Sequence, residues 1–115
     1  MDERLNKALE FSNFLETQNN QKRIFLEQYK ENLVYYTRGH KFTVTPELIN
    51  FCQTLSTTSL IDPILVDDNN IPFVITSIDE FTKELIGVYV FASRKYAADY
   101  ETIKKNRSVQ GLVDL

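Results

Sequence analysis

Between Asp2 and Thr37 the chain carries neither glycine nor proline. Apolar residues there recur at Leu5, Ala8 or Leu9, Leu15, Leu26, Tyr29, Leu33 and Tyr36. Steps near three and four residues are those of an amphipathic helix. Asp2 and Glu3 suit the positive end of its dipole. Gly39, after Arg38, stands where a glycine would stop it. The stripe has a polar hole at Ser12, Asn19 and Lys22. Three readings stay open: a break near 18–21, a projecting segment, or polar residues that fix register against another helix. One long helix is the preferred reading.

Lys41–Val44 reads as a short extended piece. Thr45-Pro46 then has the form of an N-cap followed by proline at the first helical position, with Glu47 in the first turn. That helix carries Leu48, Ile49, Phe51, Cys52 and Leu55, and ends in Ser56–Ser59. Ile61–Val66 and Ile71–Ile75 are β-rich runs around the turn-formers Asp67-Asp68-Asn69-Asn70, which predicts a hairpin. Pro72 cannot donate to a ladder and marks an edge. Ser77-Ile78-Asp79-Glu80 is a capping-box pattern. The stripe that follows is Ile78, Phe81, Leu85, Val88 or Tyr89, Ala92, Tyr96, Tyr100 and Ile103. Gly87 and its β-branched and aromatic neighbours favour a strand over 85–92, but the stripe keeps its phase across Gly87, so a helix is expected. Residues 108–115 read as a C-terminal tail, docked through Leu112 and Val113.

The expected fold is α+β and mainly α: two long antiparallel helices, with a short helix and a β-hairpin at one end. At 115 residues the chain fits a single domain, 1–115. An apolar fraction of 43% and a charged fraction of 25% are those of a globular protein. The net charge of −3 argues against a dedicated nucleic-acid binder. The charged N-terminus lacks a signal peptide's apolar region, and the strongest apolar run, Leu85–Ala92, is too short to span a bilayer. A single cysteine suits a reducing compartment. The expected location is therefore cytoplasmic, with no membrane partner.

Candidate chemistry is sparse. His40, the only histidine, reads as a solvated turn residue near a helix C-terminus, and Cys52 as a small core residue. One Cys and one His exclude a zinc site in one chain unless carboxylates contribute ligands. Asp67–Asn70 lacks the ligand spacing, central glycine and closing glutamate of a calcium loop, although four oxygen-bearing side chains suit weak cation contact. The three glycines are isolated, so there is no phosphate loop. No cofactor and no catalytic residue is expected, and the chain does not read as an enzyme.

Surfaces carry more. Six Tyr and eight Phe exceed what one small core needs, and partly exposed tyrosines commonly anchor interfaces. Phe25, Tyr29, Tyr36, Tyr89, Tyr96 and Tyr100 are the candidate contact residues. They point to a protein-protein interaction or assembly role, as a homo-oligomer or on a larger partner. The alternative is a small nucleic-acid-binding transcription regulator working through Lys104, Lys105 and Arg107 beside Tyr96 and Tyr100.

Three stretches, Leu5-Asn6-Lys7-Ala8-Leu9-Glu10-Phe11, Lys41–Ile49 and Leu65–Pro72, resemble short proteins of T-even-like tailed phages, marine ones among them. The resemblance implies a viral protein, in the host cytoplasm or the virion. It brings no activity and no functional residue with it.

Overall fold

A computed structural model describes the backbone of residues 2–114 and the side chains of residues 2–106. The chain is α+β and mainly α. Its order is α1 (Asp2–Asn32), β1 (Val34–Thr37), β2 (His40–Thr43), α2 (Pro46–Thr57), β3 (Ile64–Val66), β4 (Pro72–Val74) and α3 (Ile78–Asp114). Two compact units divide it: unit 1 is residues 1–28 with 95–115, and unit 2 is Tyr29–Arg94. Helix α1 starts in unit 1 and ends in unit 2, whereas α3 starts in unit 2 and ends in unit 1. That order is the one an antiparallel helix pair follows. Helix α2 and all four strands belong to unit 2.

Helix α1 runs unbroken across 18–21, but it stops five residues earlier than expected. The amide of Leu33 is shared between the carbonyls of Tyr29 and Lys30 at 3.2 and 3.3 Å, which tightens the last turn. Val34–Thr37 then pairs antiparallel with His40–Thr43, Thr37 opposite His40. Arg38 and Gly39, with φ of 47° and 79°, are the two central residues. Positive φ at both is the type I′ turn, whose twist matches a hairpin. The expected C-terminal glycine is thus a hairpin glycine. β-Branched and aromatic Val34-Tyr35-Tyr36-Thr37 prefers a pleated surface to a helix. The fold therefore has two hairpins, not one.

The expected stripe on α1 is also corrected. Its least exposed positions are the buried Gln18 and the half-buried Phe14, Gln21, Lys22, Phe25, Tyr29 and Asn32, which fall on one helical face. Leu5, Leu9, Leu15 and Leu26 are exposed. At about 100° per residue, Leu15 and Leu26 sit roughly a quarter-turn from the Gln18 line. In unit 1 the buried Gln18 donates from Nε2 to the carbonyl of Ile103 at 3.3 Å. One amide thereby satisfies its hydrogen-bonding need inside a helix seam.

In unit 2 the core is Phe42, Val44, Cys52, Leu65, Ile75, Phe81 and Leu85. Both hairpins, α2 and the first turns of α3 each contribute. Thr45 caps α2, its hydroxyl accepting the Leu48 amide at 3.1 Å. Ser77 caps α3 through the Glu80 amide at 3.4 Å. Residues 85–92 are helical, as the unbroken phase of the stripe requires. Phe81, Leu85, Ala92 and Ile103 are all buried along it. Gly87 is exposed, and a Cβ there would meet nothing within 4 Å. The backbone of 108–114 belongs to α3. The docking expected of Leu112 and Val113 lies outside the described side chains.

Candidate interaction surfaces

The six aromatic candidates are divided between the two units. Phe25, Tyr96 and Tyr100 fall in unit 1, and Tyr29, Tyr36 and Tyr89 in unit 2. Tyr96 and Tyr100, one turn apart on α3, are in edge-on ring contact at 6.2 Å. Tyr96 is half-buried and Tyr100 exposed. Phe25 and Tyr29 are half-buried along α1. Tyr89 packs against the unit 2 core. Tyr36 stands out at 70% exposure. It alternates with Tyr35, which packs edge-on against Phe81 at 6.1 Å, so hairpin β1–β2 turns Tyr35 inward and Tyr36 outward. Lys104 and Lys105 are exposed in unit 1, and Arg107 lies outside the described side chains.

His40 is corrected. It is not a solvated turn residue; it lies on β2, over Phe73 at a ring separation of 4.4 Å. Its Nδ1 lies 2.8 Å from Oδ2 of Asp67, whose side chain is fully enclosed. The amides of Asn69 and Ile71 both donate to the other carboxylate oxygen at 2.9 Å. Burial pushes the Asp67 carboxyl up, but the Ile71 amide, His40 and the Asn69 amide together outweigh it and hold the group below its ordinary value. Asp68 reinforces the junction: its amide donates to the Lys41 carbonyl at 2.8 Å, and its carboxylate accepts the Thr43 hydroxyl at 2.6 Å. The expected hairpin turn also forms a polar clasp between the two hairpins, with the Asp67 oxygens already engaged. Sequence reading missed the clasp because its members are 27 residues apart.

Cys52 is fully enclosed, and burial pushes its thiol up to about 11. That is the opposite of what an activated nucleophile needs. No group of three or more His, Cys, Asp or Glu side chains among the described residues is arranged to hold a metal ion. An open cleft of about 120 Å³ is lined by residues that include Tyr35, Arg38, Phe73, Glu80 and Glu84. It is smaller than the roughly 300 Å³ at which small-molecule sites begin.

The outer side of hairpin β3–β4 in unit 2 is an apolar surface. Leu65 opposite Phe73 faces the core. Ile64 opposite Val74, and Val66 opposite Pro72, therefore share the outer side, and all four are exposed. Leu60, Ile61 and Ile71 flank them and are exposed as well. The signal was present in the sequence: both strands are apolar at successive positions, so both faces of the hairpin are apolar and one core can cover only one of them. Among the described residues no helix is long and apolar enough to cross a membrane.

The chain matches no protein-family model, no curated protein and no solved structure.

Proposed function

We propose that this is a non-enzymatic interaction or assembly protein, phage-encoded as its resemblance implies, which self-associates or grips a larger protein through its long helices. The observation that carries this reading is the apolar surface left open on α1 and α3. Leu5, Leu9, Phe11 and Leu15 on α1, with Phe91 and Tyr100 on α3, are all exposed. Apolar side chains in such number, rather than singly, mark association surfaces. The raised thiol of Cys52 and the engaged Asp67 carboxylate support a binding role rather than a catalytic one.

The test is the pair Tyr96→Ala with Tyr100→Ala, scored by light scattering and by affinity capture against wild type. Loss of association with an unchanged circular-dichroism melt supports the reading. Unfolding without any prior loss of association returns these tyrosines to ordinary core.

A further inference from the structure

We propose that the outer face of hairpin β3–β4 is a two-fold interface with a second copy of this chain. The inference rests on the interaction reading for self-association alone: it assigns that contact to a sheet face and leaves the aromatic helix stripes to a larger partner, so the tyrosine pair acts on capture of that partner and not on the dimer. Ile64, Val66 and Val74 stand on that face at 62%, 61% and 48% exposure. Pro72 completes the face, exposed as well, and Leu60 and Ile61 precede it at 59% and 89%.

Area decides that a second copy suffices. An unfolded chain exposes about 1.45 Å² per dalton, or roughly 160 Å² for an Ile or Leu and 145 Å² for a Val. At the exposures above, Ile64, Val66, Val74, Leu60 and Ile61 offer roughly 500 Å² per copy, and Pro72 adds about 50 Å². A pair stacked face to face would bury about 1,100 Å², just above the roughly 1,000 Å² expected of a specific interface. Their side chains are aliphatic and carry no donor or acceptor that demands a different partner. An isologous contact sets such a patch against itself, and two sheet faces pack at about 10 Å with their side chains interleaved.

The inner side is already occupied, since Leu65 and Phe73 belong to or pack on the core. Burial of the outer side therefore needs no rearrangement within the hairpin. The exposed Asp62 and Asp68 lie at the base and tip. In either alignment of a two-fold pair, acid lies near acid at the rim. Salt screens that repulsion, so the dimer should tighten as ionic strength rises. A basic partner would show the opposite trend.

The experiment measures the mass of the full chain by sedimentation and light scattering across concentration, at low and high salt. It compares wild type with Ile64→Lys/Val66→Lys, Ile64→Thr/Val66→Thr and Tyr96→Ala/Tyr100→Ala. The threonine pair keeps β-branched side chains, which guards against a folding defect. The expected result is a wild-type dimer that tightens with salt. Both hairpin pairs should weaken it by about 100-fold or more while keeping the wild-type circular-dichroism spectrum, and the tyrosine pair should leave it intact. A dimer indifferent to the hairpin variants but broken by the tyrosine variants overturns the hairpin interface and leaves the helix reading standing. A monomer at every concentration and salt overturns self-association and leaves only a different protein as partner.

Discussion

Gln18 is the position at which the reading of unit 1 can be tested most sharply, because two substitutions there should move stability in opposite directions. Gln18 is 4% exposed and gives one hydrogen bond, to the Ile103 carbonyl. In Gln18→Ala that bond is lost, at about 0.5–1.5 kcal/mol, together with the burial of one methylene at about 0.8 kcal/mol. The sum is a destabilisation of about 1.3–2.3 kcal/mol. Gln18→Leu loses the same bond but replaces a buried amide with an apolar group of similar volume. Burial of a leucine side chain is worth about 1.5–3 kcal/mol, so the net effect is a gain of roughly 0.5–2 kcal/mol. For a chain of this size, 1 kcal/mol moves the melting temperature by about 4 °C. Circular-dichroism melts and urea titrations of the two variants therefore separate cleanly, with Ala falling by roughly 5–9 °C and Leu rising by a few degrees. If both variants melt with wild type, Gln18 is not in a packed seam and the account of unit 1 is wrong. If Leu destabilises as much as Ala, the amide does more than satisfy itself. It then fixes the helix register, as single buried polar residues do in coiled coils.

The remaining predictions concern unit 2. Gly39→Ala places a Cβ at φ 79° and should cost about 1–2 kcal/mol, read as a lower urea midpoint; an unchanged midpoint would show the turn is not type I′. For Asp67, the folded pKa lies below the ordinary 3.8. Its stabilisation is therefore complete above that value and is lost as pH falls through the lower, folded one. Asp67→Asn should be less stable than wild type at neutral pH and should converge with it in acid, and parallel pH profiles for the two would refute the clasp. Cys52, enclosed and with its thiol near 11, should resist a disulfide reagent at pH 8 in the native state and react once urea unfolds unit 2. Rapid native labelling would mean that α2 opens locally.

What the sequence conveyed about this fold depended on whether a signal was local. The caps at Thr45 and Ser77 lie three residues from the amides they accept, and both were legible. Helix α3 was legible despite Gly87, because a stripe of eight positions outweighs one residue's propensity. Helix α1 was misread at two points where one pattern fits two structures. A glycine after a charged residue suits a helix end as well as a hairpin, and only the β-forming run Val34–Thr37 separates them. Leucines spaced for a helix face describe an exposed stripe as well as a buried one. Here the enclosed line passes instead through Phe14, Gln18 and Phe25, where an amide sits opposite a backbone carbonyl that no sequence pattern displays.

The same distinction governs the surfaces. The His40–Asp67 contact could not be read from either residue's neighbours, since each by itself is an ordinary turn-region residue. The outer face of hairpin β3–β4 could have been. Ile64-Leu65-Val66 and Phe73-Val74-Ile75 do not alternate apolar with polar, and a two-stranded hairpin over one core has no second layer to cover both of its sides. Tyrosine content drew attention to the helices, although tyrosine is a residue that tolerates half-burial in any small protein. Aliphatic residues at 48–89% exposure on and around a short sheet are harder to account for without a partner than a half-buried ring. A chain that keeps Leu65 and Phe73 inward while leaving Ile64, Val66 and Val74 outward carries apolar surface in excess of its own core, and that excess is the physical ground for expecting association through a strand face as well as through a helix.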